Sequence, residues 1–175
     1  PTGMIYSREE LMAIGNWAVA HDVLILADDI YGRLVYNGNE FVPISSLSEA
    51  IRKQTIVING VSKAYAMTGW RVGYAVGNPA IIAAMSKLTG QTTSNLTAVS
   101  QYATIEALTG PQDSVETMRQ AFEERLNTIY PLLCQVPGFE VVKPQGAFYL
   151  FPNVKKAMEM KGYTDVTEFT TAILE

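Results

Sequence analysis

The pair Ser62-Lys63 is followed eight residues later by Arg71, and Asp28 and Tyr31 stand close together further upstream. A lysine placed just after an apolar strand and a glycine is poorly solvated. Burial disfavours its charged form and leaves an amine able to act as nucleophile and base, which is what Schiff-base chemistry needs. A neighbouring carboxylate such as Asp28 could keep the ring nitrogen of a bound cofactor protonated. The Tyr31 phenol could bond a ring oxygen, and Ser62 with Arg71 could take a phosphate. Each residue alone also has an ordinary structural use: Lys63 as a solvated loop lysine, Arg71 as an ion-pair partner, Asp28 as a cap and Tyr31 as packing.

The elements that must position these residues follow from the local patterns. Ser7-Arg8-Glu9-Glu10 matches the capping box S-x-x-E, and Leu11, Ile14, Ala18 and Val19 recur at helical spacing, so a helix is expected from about Arg8 to Ala20. Pro1-Thr2-Gly3 ahead of it reads as a turn. Val23–Ala27 and Thr55–Ile58 are apolar runs of strand length, expected to be buried on both faces. Both end in polar, chemically capable residues, where a parallel strand gives way to a loop and where open α/β sheets bind ligands.

Val72–Val76 is a third strand candidate, followed by a helix to about Leu88 and a polar loop over Gly90–Asn95. Helices are expected over Thr97–Leu108 and, with a bend near Pro131, over Ser114–Gln135. Past Pro137-Gly138, short strands at Phe139–Val142 and Ala147–Phe151 and a helix at Val166–Leu174 read as a second unit.

Bulk properties narrow the function class. The chain has 175 residues, 48% of them hydrophobic, enough to bury a core. A net charge of −4 without a long basic run leaves no electrostatic footprint for nucleic acid. The lone Cys134 cannot form an internal disulfide, and no apolar run is long enough to span a bilayer, so a cytoplasmic setting is expected. No His/Cys pattern calls for a metal. The sequence lacks an initiator Met and stops at Leu174-Glu175 inside a helix-like run, so it reads as a piece of a longer protein.

Four stretches taken in order carry a family resemblance: Pro1-Thr2-Gly3, Ala27-Asp28-Asp29-Ile30-Tyr31, Ser62 to Tyr74 with its Ser-Lys and Gly-Trp-Arg-x-Gly elements, and Gly146-Ala147-Phe148-Tyr149. Together they resemble class I/II aminotransferases of fold type I, which depend on pyridoxal 5'-phosphate (PLP), and most of all bacterial aspartate and aromatic aminotransferases. The resemblance implies an α/β fold. Residues 1–110 would be the C-terminal half of the PLP-binding large domain, with a mostly parallel sheet. Residues 111–136 would form a connecting helix, and residues 137–175 the start of a smaller α+β domain.

It further implies that Lys63 bonds the cofactor and then carries the proton, that Asp28 pairs with the ring nitrogen, that Tyr31 bonds the ring oxygen, and that Arg71 and Ser62 meet the phosphate. The phosphate-binding hydroxyl that relatives place three positions before the lysine falls on Gly60. The family's asparagine before Pro-Thr-Gly, its glycine-rich phosphate loop and its C-terminal substrate-binding arginine are not in this sequence. The implied substrates are an amino acid and a 2-oxo acid, the implied assembly is a homodimer, and this piece alone is expected to be inactive. Two alternatives share the same residues: an aminotransferase-like effector domain of a transcriptional regulator, and a PLP lyase on the same fold.

Other residues have structural readings. His21 reads as a helix-end residue, Cys134 as core, and Trp70 and Tyr65 as core or interface packing. Gln91–Asn95 reads either as a surface loop or as one reaching a neighbouring subunit's site.

Overall fold

The computed structural model describes residues 2–175, so Pro1 of the expected Pro-Thr-Gly turn lies outside the described residues. Helix α1 (Arg8–Ala20) starts as its capping box requires. The Ser7 hydroxyl accepts from the Glu10 N–H at 3.2 Å, and the Glu10 carboxylate accepts from the Ser7 N–H at 2.7 Å, satisfying two backbone donors that the helix leaves free. Strand β1 (Ile25–Asp28) follows. A 3-10 turn at Ile44–Ser46 and helix α2 (Glu49–Gln54) then lead into β2 (Thr55–Gly60). Helix α1 packs closely on α2, because a Cβ at Gly15 would stand 2.5 Å from Ile51 Cδ1. Ile51 itself is fully buried, worth about 1.5–3 kcal/mol in apolar transfer.

Strand β1 pairs parallel with β2, Asp28 opposite Ile58, and β2 pairs antiparallel with β3 (Gly73–Val76), Gly60 opposite Gly73. The carboxyl ends of β1 and β2 therefore lie at the same end of the sheet as the amino end of β3. Topology alone brings Asp28, the Ser62-Lys63 turn and Arg71 to one place. Burial differs from the expectation for β1. Central β2 is covered on both faces, whereas β1 has a partner on one side only and alternates, leaving Leu26 71% exposed.

The elements that follow are all helices, α3 (Pro79–Thr92), α4 (Ala98–Thr109), α5 (Asp113–Leu133), α6 (Lys155–Lys161) and α7 (Val166–Leu174). The polar loop expected over Gly90–Asn95 is helical through Thr92. The hydroxyl of Thr92 donates to the Leu88 carbonyl at 3.1 Å, so a polar run remains compatible with the helix, and the turn comes at Ser94, φ 63°. Helix α5 runs through Pro131, whose missing N–H falls in the last turn.

The two strands expected after residue 137 are not formed. Only isolated bridges appear, Glu140 with Asn153 and Val35 with Gly146. The reason lies in the segment 34–36, which takes the backbone groups that a local hairpin would use. The Ala147 N–H donates to the Leu34 carbonyl at 2.8 Å, and the Tyr36 N–H donates to that of Gln145 at 2.9 Å.

Segment 31–37 is also clamped on α5. Leu34, Tyr36 and Leu126 form a buried cluster edged by Tyr31, Met118, Phe122 and Leu150. The Arg119 guanidinium donates to the Val35 carbonyl at 3.2 Å and to Glu123 at 3.1 Å, while the other Glu123 oxygen accepts from the Asn37 N–H. These contacts hold the Glu123 carboxyl below its ordinary range, with the Asn37 N–H the largest cause and Arg119 next. Among the described residues no helix is long and apolar enough to cross a membrane.

Candidate active site

Lys63 sits in a tight turn that closes off β2. The Tyr65 and Met67 N–H groups both donate back to the Val61 carbonyl, at 3.3 and 3.4 Å, and Val61 and Ala64 anchor the turn by burial. The Lys63 side chain is half-buried beneath aromatic rings. Its Nζ lies 5.8 Å from the Tyr31 ring centre and 5.4 Å from that of Phe148, within range of cation–π attraction for an ammonium. Tyr31 and Phe148 meet edge to face, centroids 5.4 Å apart, and the Tyr31 and Tyr149 hydroxyls are 2.6 Å apart.

Asp28 ends β1. Its Oδ1 accepts from the Ile30 N–H at 3.2 Å, which turns the chain toward Tyr31. Burial raises the Tyr31 phenol above its ordinary value, the Tyr149 hydroxyl adds to this in the arrangement where it accepts the Tyr31 proton, and the charge of Asp28 contributes least. Tyr31 is thus the group that both Asp28 and Lys63 meet. The adjacent Asp29 is different: it is half-buried, and burial followed by the charge of Asp28 pushes its carboxyl from 3.8 up to about 6.

Arg71 precedes β3 in the left-handed region, φ 55° and ψ 46°, a conformation costing a residue with a side chain roughly 1–2 kcal/mol. Its guanidinium donates to the Thr68 carbonyl at 3.0 Å, and the Thr68 hydroxyl donates to the Ser62 carbonyl at 3.2 Å. One small bonded loop therefore joins Ser62, Thr68 and Arg71. Gly60 explains the departure three positions before the lysine. A Cβ there would stand 2.7 Å from the Val72 carbonyl oxygen, so the crossing from β2 to β3 leaves no room for a hydroxyl-bearing side chain. A cavity of about 500 Å³ opens beside Asp28, Tyr31 and Tyr149 and runs along the free side of β1 past Leu26 and Ile14.

All five residues singled out in the sequence, Asp28, Tyr31, Ser62, Lys63 and Arg71, therefore gather at one end of the sheet. Phe148, Tyr149 and Thr68 join them. The first two lay in a recognised motif without a role, and nothing in the sequence points to a hydroxyl pair separated by 118 positions.

The remaining side chains sit apart from this cluster. His21 stacks on Trp17 and bonds its carbonyl, a helix-end role. Tyr65 packs half-buried under Arg33, its hydroxyl donating to Gln112, whereas Trp70 is 44% exposed. Cys134 is exposed rather than core, because it caps the end of α5.

Comparison with known proteins identifies the family. The family model for aminotransferases of class I and II matches residues 1–175. The chain is 79% identical over its whole length to the asparagine–oxo-acid transaminase of Streptococcus mutans, and 58% identical over 99% of its length to the aspartate aminotransferase of Bacillus sp. YM-2. In each case it covers 44% of the relative. Among solved structures, the aspartate aminotransferase of Rhizobium meliloti matches with a TM-score of 0.85 at 38% identity, over 89% of this chain and 39% of that one. The aromatic aminotransferase of Pyrococcus horikoshii matches with a TM-score of 0.83 at 34% identity, over 87% and 41%. The chain thus spans less than half the length of the relatives it matches. A family model covering every residue, high identity and a shared fold lead to one conclusion: this chain belongs to the class I and II aminotransferases and carries part of their α/β fold.

Proposed function

We propose that the full-length protein is a PLP-dependent transaminase that moves an amino group between an amino acid and a 2-oxo acid. The observation that carries this is the meeting, at one end of the sheet, of an amine, a carboxylate, a phenol and a guanidinium from three strands. The donor set fits PLP. Among the described residues neither Lys63 nor Arg71 has a carboxylate ion-pair partner, which leaves an amine for a carbonyl and a guanidinium for a phosphate. When bound, the cofactor supplies an electron sink that stabilises negative charge at the amino acid's α-carbon.

This chain's own residues do the rest. Lys63 would hold the cofactor through its Nζ and would take and return the substrate proton. Asp28 would pair with the ring nitrogen and hold its proton in place. Tyr31 would donate its phenolic proton to the ring oxygen, while Arg71, with the Ser62 hydroxyl, would bind the phosphate. In this reading residues 1–110 belong to the cofactor-binding domain, 111–136 connect, and 137–175 begin a smaller domain. The exposed apolar residues of α4, Val99, Tyr102 and Ile105, support a homodimer.

The names of the relatives favour an acidic amino acid or its amide as donor. The test is a transaminase assay of the full-length protein with aspartate and with asparagine, each against 2-oxoglutarate, in the presence of PLP. Turnover with at least one donor, abolished by Lys63→Ala, is the expected result. Absence of turnover with either would overturn the reading.

A further inference from the structure

Two phenol oxygens 2.6 Å apart, Tyr31 and Tyr149, share a single hydrogen bond. Each hydroxyl has one proton and two lone pairs, so the pair has two arrangements. If Tyr31 donates to Tyr149, its only proton is spent. If Tyr149 donates to Tyr31, the Tyr31 proton is free for another acceptor, and the incoming bond strengthens it as a donor.

We infer that Tyr149 is a positioning residue: its hydroxyl donates to the Tyr31 oxygen and so commits the Tyr31 proton to the ring oxygen of the cofactor. This rests on the proposal that PLP occupies the site.

The placement of Tyr149 is built rather than incidental. Gly146 bridges to Val35, and the Ala147 N–H donates to the Leu34 carbonyl at 2.8 Å. Ala147 takes a left-handed conformation, φ 59°, in a buried position, and such a conformation persists only where the surroundings over-determine it. The next two residues then both pack on Tyr31, Phe148 at 5.4 Å and Tyr149 at 5.8 Å between ring centres. The charged and titratable groups facing this pair are Lys63 from the turn after β2 and Asp28 from the end of β1. Burial first, and the charge of Asp28 least, raise the Tyr31 phenol above its ordinary value, so Tyr31 keeps the proton it has to donate at neutral pH.

The experiment is a pH titration of the visible absorbance of lysine-bound PLP in the full-length protein and in its Tyr149→Phe, Tyr31→Phe and double variants. Without Tyr149, Tyr31 is a weaker donor, the anionic ring oxygen is less stabilised, and the deprotonated form of the chromophore is disfavoured. Its pKa should rise by roughly half to one unit, the equivalent of one hydrogen bond. Tyr31→Phe should raise it further, and the double variant should match Tyr31→Phe alone, because Tyr149 acts only through Tyr31. An unshifted titration in Tyr149→Phe, or shifts that add in the double variant, would overturn the inference while leaving a lysine-bound cofactor in the wild type intact. A wild type with no such absorbance would overturn the proposed function and this inference together.

Discussion

Replacing Asp29 with asparagine separates two adjacent carboxylates that the sequence does not distinguish. In the folded chain the Asp29 carboxyl is pushed up to about 6 from 3.8, by burial first and the charge of Asp28 second. The folded state therefore binds this proton more tightly than the unfolded state. Stability from this group is fully present below about pH 3.8 and is lost as pH rises through about 6. At full weight the difference corresponds to about 3 kcal/mol. Because the group is only half-buried, solvent screening reduces this to ~1–2 kcal/mol. Asparagine keeps the shape and removes the charge, so above pH 7 Asp29→Asn should stabilise the protein by about that amount. The gain should shrink steadily as the pH is lowered toward 4. Urea unfolding of full-length wild type and variant at several pH values reads this directly. A gain that does not change with pH, or a destabilisation at neutral pH, would refute the reasoning. Transaminase activity should survive, since Asp28 rather than Asp29 is assigned to the ring nitrogen.

Asp28→Asn should retain PLP but lower turnover by about 10²–10³-fold, the scale of removing one oriented electrostatic contact; turnover equal to wild type in the transaminase assay would remove Asp28 from the site. The 175-residue chain by itself should self-associate and lack turnover, because Leu26, Val99, Tyr102 and Ile105 are 56–74% exposed and exposed apolar patches are usually covered. Light scattering that shows a stable monomer would contradict this.

Much of the fold can be read locally. The capping box at Ser7, the apolar runs before Asp28 and after Gln54, and the glycine and proline signals bounding α4 and α5 each place an element within a few residues. The site is legible in its types and order, since Asp28, Tyr31, Lys63 and Arg71 are all near strand ends. What fails is what depends on distant partners. The half-exposed β1 and the absent strands after residue 137 depend on which segment takes which backbone groups, and segment 34–36 takes those of residues 145–147. The Tyr31–Tyr149 contact is of the same kind, a tertiary fact with no local spacing behind it. Gly60 is an intermediate case: its type is visible in the sequence, but its reason is the 2.7 Å approach of the Val72 carbonyl to the space a Cβ would occupy.

The central claim is that Lys63 holds the cofactor, and one measurement tests it most directly. Full-length protein loaded with PLP is reduced with borohydride, which makes the lysine bond permanent, and is then digested and mapped by mass spectrometry. The expected result is a stoichiometric pyridoxyl group on the peptide containing Ser62-Lys63-Ala64. Modification concentrated on another lysine, or spread over several, would contradict it.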